Sequence, residues 1–407
     1  LGIVIFDLVL YLLLIRSFPA LKTKRLRYIS WIYLAISLFV FLCFWFLDWL
    51  FMEIKLQSNR AIVAFIIFNL GVKLLLFVFL VLDNGLILVQ SVYYKWRRRE
   101  QDNHRIEASA GPGISRKQFL VKATLMSASV PLLIKGFNII NQAYNYQVRR
   151  VRVTLPNLPK AFHGLKIGQI SDIHSGSYDK DSAVSGGVEL LMQERADLIF
   201  FTGDLVNRTT DEVHDYFKVF QKVRAPLGVY SVLGNHDYGD YASWPSAQAK
   251  QQDFQNMLAA HRELGWTLLR NQNQLIREGG ETLAILGVEN WGVKRFSKYG
   301  KIEDAYAGTE EATTRLLLSH DPSHWEAKVL DYPDIDITFS GHTHGFQFGV
   351  EVGNFRWSPS QYLYKQWAGL YQKGTQYIYV NRGYGYIGLP GRVGIAPEIT
   401  VIELARA

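Results

Sequence analysis

Cysteine is almost absent: Cys43 is the only one in 407 residues, and it lies in an apolar stretch. That excludes an internal disulfide and offers no thiolate to a metal site, and it leaves the redox compartment unreadable from cysteine usage. Internal repeats are also lacking. A surplus of positive charge is missing from the larger part of the chain. The net charge is +8, but residues 1–150 hold 19 Lys and Arg against 7 Asp and Glu, a surplus of 12 that leaves the remainder at −4. No basic strip is left there to follow the phosphates of a polymer, which argues against a nuclease and against nucleic-acid partners.

The first 146 residues do contain long apolar stretches, near 1–15, 29–51, 61–82 and 119–135. A bilayer core of ~30 Å asks for about 20 apolar residues, which the second and third stretches supply. The first is short and begins at Leu1, so a preceding piece would complete it; the fourth is moderately apolar and contains Lys122. A buried helical core is the competing reading, and the apolar density of the block favours spans. Arg16, Lys22, Lys24, Arg25 and Arg27 follow the first stretch, Lys95, Arg97, Arg98 and Arg99 follow the third, and the loop at 52–60 has only Lys55 and Arg60. Basic loops stay cytoplasmic, which places 93–118 inside a multi-pass protein of the cytoplasmic membrane. Ser115-Arg116-Lys117-Gln118-Phe119-Leu120 resembles a twin-arginine export signal with Lys117 in the second arginine's place. If 119–135 crosses, residues 147–407 emerge on the extracytoplasmic side; if it lies flat, they face the cytosol.

The second half carries five clusters in order: Ser171-Asp172-Ile173-His174, Gly203-Asp204, Gly234-Asn235-His236-Asp237, Ser319-His320-Asp321 and Gly341-His342-Thr343-His344. Each follows an apolar run, Leu165 to Ile170, Leu198 to Phe201, Val229 to Leu233, Leu316 to Leu318 and Ile335 to Phe339. Such runs read as buried strands, with every cluster at a C-terminal end, where α/β folds build their sites. Two divalent cations ~3.5–4 Å apart need a shared carboxylate and separate nitrogen and oxygen ligands on each side. Asp204 is the candidate bridge. Strand side chains repeat with period two, so Asp172 and His174 point the same way, as do His342 and His344 between Gly341 and Gly345. One Asp-x-His alone is weak evidence; five ordered clusters are not. Imidazole, carboxylate and amide ligands suit Mn, Fe, Zn or Co better than Mg or Ca.

These residues resemble the calcineurin-like metallophosphoesterases, whose pattern D-x-H, G-D, G-N-H-D, H, G-H-x-H is matched from Asp172 to His344. The resemblance implies one metal held by Asp172, His174, Asp204 and His344, and a second held by Asp204, Asn235, His320 and His342. It implies that His236 is the cation or acid beside the leaving oxygen, with Asp237 orienting its ring, and that Arg208 supports the ligands or the substrate. His324 competes with His320 for one position; His320 directly follows its strand and is preferred. The chemistry would be attack on phosphorus by a hydroxide whose pKa two cations have lowered.

Gly136 to Gln147 reads as a linker, and the Arg149-Val151-Val153 alternation opens a catalytic domain at 147–407. Helical patterns at Ala183 to Glu194, Asp211 to Val223 and Ala247 to Leu264 alternate with strands, and the chain turns strand-rich after Leu268. That order predicts an α/β fold of two sheets sandwiched by helices. The resemblance implies a four-layer α/β/β/α sandwich over residues 150–404, preceded by the transmembrane helical region. Asn381-Arg382-Gly383, Gly388-Leu389-Pro390 and Pro397-Glu398-Ile399-Thr400 look like the family's membrane-associated bacterial branch, which includes phosphodiesterases and relatives that split UDP-diacylglucosamine.

The segment from Arg356 to Tyr371 mixes aromatics with Lys and Arg, and reads either as a membrane-interface edge or as aromatics packed over a sheet edge. The first functional reading is a membrane-anchored dinuclear-metal phosphoesterase acting on a lipid-linked phosphate, pyrophosphate or phosphodiester, with membrane lipids as partners. The alternatives are a phosphodiesterase for small soluble substrates and an inactive membrane protein that binds a phosphorylated ligand.

Overall fold

The computed structural model describes residues 9–12, 77, 89, 93 and 142–407, apart from 179–180, 294–295, 354 and 389–390. The four stretches expected to span a membrane lie almost entirely outside these residues. Among the described residues no helix is long and apolar enough to cross a membrane. The chain divides into two compact units, Leu1–Asn138 and Ile139–Ala407, and the second is described here. Residues read as linker contribute to it: Ala143 and Tyr146 are buried in its core.

Unit two is a mixed α/β fold built on two six-stranded sheets. The strands are β1 (Gln147–Leu155), β2 (Lys166–Ile170), β3 (Leu198–Phe201), β4 (Val229–Ser231), β5 (Thr267–Leu268), β6 (Gln272–Glu278) and β7 (Glu281–Gly287). They continue with β8 (Thr314–Leu318), β9 (Ile337–Ser340), β10 (Val350–Val352), β11 (Phe355–Trp357), β12 (Gly369–Lys373), β13 (Gln376–Val380) and β14 (Glu398–Arg406). The helices are α1 (Asp181–Gln193), α2 (Phe217–Phe220), α3 (Ala247–Glu263), α4 (Ile302–Tyr306) and α5 (Ser323–Ala327). One sheet runs β1-β14-β2-β3-β4-β5, the other β12-β13-β9-β8-β7-β6, and β10 pairs only with β11.

Period-two alternation explains how one strand serves two cores. Leu198 and Phe200 join the cluster between the sheets with Leu316, Leu318, Ile337 and Phe339. Ile199 and Phe201 join the opposite cluster with Val184 and Val188 of α1 and Met257 of α3. Ala284, Leu286 and Leu317 turn to the far face of the second sheet, against Ile302 of α4 and Trp325 of α5. The order of layers is therefore helix, sheet, sheet, helix. The helical pattern at 211–223 forms a short helical turn, Thr210–Tyr216, followed by the single-turn α2 rather than one helix.

The strands that carry the clusters are neighbours. β2, β3 and β4 are parallel in one sheet, β8 and β9 in the other. Parallel neighbours put their C-terminal ends on one edge, so the loops after all five meet. The tail motif is structural: Arg382 forms buried ion pairs with Glu398 and Glu351, and Asn381 Nδ2 donates to Thr400 Oγ1 at 2.9 Å. These bonds tie the end of β13 to the start of β14.

Candidate metal centre

Five of the candidate ligands take a left-handed backbone: Asp172 (φ 53°), His174 (52°), Asp204 (61°), His342 (71°) and His344 (50°). Each lies beyond the last residue of its strand, so the pleat is not what makes Asp172 and His174 converge. Alternation of left-handed and ordinary residues does it, a correction to the period-two expectation. Such conformations cost about 1–3 kcal/mol each and persist only when neighbours over-determine them. The neighbours here are backbone: Asp172 N donates to Gly203 O at 2.8 Å, His174 N to Asp204 O at 3.1 Å, and Gly341 N to His320 O at 2.9 Å. Gly341 is needed for space, since a Cβ there would sit 2.0 Å from Ser171 Oγ and 2.2 Å from Asp172 Oδ2.

Two triads result, buried apart from the part-buried His342: Asp172, His174 and His344, and Asp204, His320 and His342. In the first, His344 Nε2 is 3.2 Å from Asp172 Oδ1 and 3.0 Å from His174 Nε2. In the second, His320 Nε2 is 3.1 Å from Asp204 Oδ2 and 3.2 Å from His342 Nδ1. Asp204 Oδ2 also lies 3.6 Å from His174 Nε2, so this carboxylate faces both triads. Asn235 is buried beside them; its Nδ2 donates to Tyr241 Oη at 2.9 Å while its Oδ1 has no partner.

The donor set fits divalent cations. His320 Nδ1 meets Thr202 O at 2.7 Å and His174 Nδ1 meets Val206 O at 3.2 Å. A carbonyl can only accept, so both rings carry a proton on Nδ1 and turn Nε2 inward, the arrangement that supports metal-bound histidine. Imidazole nitrogens facing one another 3.0–3.2 Å apart, with an orphaned amide oxygen, describe coordination positions.

The electrostatics are those of a site built around charge. Burial pushes the Asp204 carboxyl up, but His320, His236 and His174 together pull it well below the usual carboxylate range. Burial holds His320 down, yet the Asp204 carboxylate beside it wins and raises it to about 10. His174, with burial the largest influence, stays well below the usual imidazole value. Bound cations would take the place of the protons in this network.

His236 projects beside the triads, edge-on to His174 at 5.0 Å between centroids and against Tyr241 at 4.3 Å. Asp237 does not orient it; His236 Nδ1 meets Asn207 O at 2.7 Å instead. Asp237 is buried and accepts four backbone N–H groups: Asp204 and Gly234 on Oδ2 at 2.9 Å, Leu205 and Val206 on Oδ1 at 2.8 and 3.4 Å. Its side chain points away from the ring because the left-handed turn at Asp204 aims these amides at it. Arg208 is exposed, its backbone N–H donating to Glu212 Oε2 at 3.3 Å. His324 is outside both triads, bonded through Nδ1 to Ser319 Oγ at 2.9 Å and stacked on Trp291.

Two tyrosines carry contacts that no cluster announced. Tyr364 Oη lies 2.9 Å from His342 Nε2, the nitrogen that faces away from the triad, and Tyr241 bonds Asn235 as above. Tyr364 lies within the aromatic segment singled out in the sequence. Tyr241 has no such signal. In that segment Trp367 is buried, and Arg356 lies over the Trp367 and Tyr371 rings, while Tyr362 and Leu363 are exposed.

A family profile described as calcineurin-like phosphoesterase matches residues 165–346. The chain is 30% identical over 254 residues to YkuE of Bacillus subtilis, an uncharacterized metallophosphoesterase, covering 61% of this chain and 81% of YkuE. It is 30% identical over 277 residues to the UDP-2,3-diacylglucosamine pyrophosphatase LpxG of Chlamydia trachomatis, covering 56% of this chain and 81% of LpxG. A transmembrane protein with metallophosphoesterase domain from Bos taurus is 29% identical over 304 residues, covering 72% of this chain and 64% of that protein.

Proposed function

Because the chain belongs to the calcineurin-like phosphoesterases and is a metal-dependent phosphoric ester hydrolase, we propose that it cleaves a phosphate, pyrophosphate or phosphodiester bond of a lipid-linked substrate at the surface of the membrane that anchors it. The observation that carries the reading is the pair of triads facing one carboxylate, Asp204. Asp172, His174, Asp204 and His344 would hold one divalent cation and Asp204, Asn235, His320 and His342 the other; Mn, Fe, Zn and Co suit these donors. Bound there, two cations lower the pKa of water and neutralise charge on the phosphoryl group.

The protein's own groups do the rest. The carbonyls of Thr202 and Val206 hold two imidazoles in the ligating tautomer. His236, with Nδ1 held by the Asn207 carbonyl, keeps Nε2 for the leaving oxygen and there supplies a proton or a positive charge. Asp237 fixes the loop that presents Asp204.

A lipid-linked substrate is supported by the apolar runs in residues 1–146 and by the names of two relatives, a pyrophosphatase of a diacylated sugar nucleotide and a transmembrane protein. In this reading residues 1–146 form a multi-pass helical anchor in the cytoplasmic membrane and the catalytic domain stands on the extracytoplasmic side. The net charge of −4 beyond residue 150 gives nucleic acid no purchase.

The test is headgroup or phosphate release from a lipid-linked pyrophosphate and from a soluble phosphodiester, with Mn added or chelated, by wild type, Asp204→Asn and His236→Ala. Turnover of the lipid substrate that needs metal and is lost in both variants is expected. Equal turnover of soluble esters alone would refute the lipid assignment.

A further inference from the structure

Directly after His344 the chain alternates with period two in the reverse sense to a water-facing strand. Phe346, Phe348, Val350 and Val352 are exposed, at 39%, 45%, 44% and 70%, while Gln347, Gly349 and Glu351 between them turn inward. Gln347 is buried and bonded to Ile387 through both ends of its amide. Glu351 is clasped by Arg149 and Arg382. The partner strand continues the pattern. Val352 pairs with Phe355, itself 63% exposed, and Val350 with Trp357, while Glu351 pairs with Arg356, whose guanidinium donates to Ala368 O at 2.7 Å.

The β10–β11 hairpin therefore ties the charged groups of one face, Glu351 and the Arg356 guanidinium, back to the protein and shows its apolar face outward. An antiparallel pair with one face in water normally does the opposite. The apolar face is also concentrated. Of the nine large hydrophobic side chains exposed in the described part of unit two, seven lie between Phe346 and Leu363, and contiguous apolar surface of this kind marks a docking site.

We propose that this face seats on a lipid bilayer, with the hairpin tip in the headgroup region, so that the metal centre meets substrate without the substrate leaving the membrane; the inference rests on the lipid-linked reading above. Three observations choose a bilayer over a protein partner. Trp357 and Tyr362 sit at the margin with polar atoms within 3.4 Å of each other, the aromatic pair with wet ends that membrane interfaces favour. The segment from Phe346 to Lys373 has one acid, the inward Glu351, against Arg356, Lys365 and Lys373, so nothing on it repels anionic headgroups. Finally, the face is continuous with the centre: it begins two residues after His344, and Tyr364, next to the exposed Leu363, touches His342.

The test uses the full chain in nanodiscs of phosphatidylethanolamine and phosphatidylglycerol. Cys43→Ser removes the native thiol, and an environment-sensitive fluorophore is placed by Phe355→Cys or, as reference, by Glu278→Cys on the exposed turn of β6 and β7. Quenching by spin-labelled lipid at 355 and not at 278 is expected. In parallel, Val352→Asp with Phe355→Asp should slow the lipid-linked substrate at least about tenfold, leaving a soluble phosphodiester and the bound metal unchanged. A label at 355 that spin-labelled lipid does not quench, whether it is wet or shielded by protein, overturns the proposal. Quenching without turnover of any lipid substrate would keep the docking face and sink the lipid-substrate reading. Lipid turnover without quenching would do the reverse.

Discussion

Replacing Asp237 with Asn exchanges one carboxylate oxygen for an NH2 group at the point where four backbone N–H donors converge. Asn keeps one acceptor, so two donors are left facing a donor in a site that is 1% exposed. Each lost bond to a charged acceptor removes about 1.5–3 kcal/mol, or about 3–6 kcal/mol for the pair. The donors belong to Asp204, Leu205, Val206 and Gly234, so the loss falls on the loop that aims Asp204 at both triads and on the entry to Asn235. Burial and the Asp204 charge push the Asp237 carboxyl up to about 7, but the four backbone donors mean the loops are built around the ionised form. The expected phenotype is metal loss measured by plasma mass spectrometry, with a melting temperature lowered by roughly 10 °C if the whole unit feels the change. A role limited to orienting His236 predicts something different: normal metal content, normal melting and a reduced kcat. That second pattern in Asp237→Asn would refute the reasoning.

Gly341→Ala places a Cβ within 2.2 Å of both Ser171 Oγ and Asp172 Oδ2, and overpacking of this kind costs about 1–3 kcal/mol; metal content should fall because the carboxylate must move, and an unchanged metal content with full activity would contradict the crowding. His261, buried with Nε2 unpartnered and Nδ1 2.9 Å from Ser231 Oγ, is held by burial at about 3, below its ordinary 6.5. A depressed imidazole supports the fold fully above pH 6.5 and loses that support as pH falls towards 3. Between pH 7 and pH 5 it should forfeit about 2 kcal/mol, so denaturant titrations of His261→Phe should show a correspondingly smaller acid loss than wild type. Equal acid losses in the two proteins would contradict the assignment.

The metal-binding chemistry was legible in the sequence because its signals are local. An apolar run followed two or three positions on by Asp, Asn or His names a strand end and a ligand class together, and the five such junctions from Asp172 to His344 need no tertiary information to be read in order. Two sheets with helices outside were legible for the same reason, since period and breaker residues act over a few positions. The bonds of the site were not. His174 and His320 are oriented by the carbonyls of Val206 and Thr202, and a backbone carbonyl has no letter in a sequence. Asp237 stands next to His236 in the chain, yet its carboxylate turns to the amides of Asp204 and Leu205, because chain adjacency says nothing of direction once the backbone enters the left-handed region.

The hairpin shows the same division most sharply. Phe346 to Val352 spells an alternation of apolar and other residues that is present in the sequence, although only Val350–Val352 is strand and Phe346 and Gln347 take left-handed turn conformations. Alternation names two faces without saying which one meets water. That was decided by tertiary contacts, above all Arg149 and Arg382, far apart in the chain from Glu351 and brought to it by the pairing of β1 and β13 with their neighbours. A carboxylate held between two guanidinium groups turned the charged face inward, and the valines and phenylalanines were left outside.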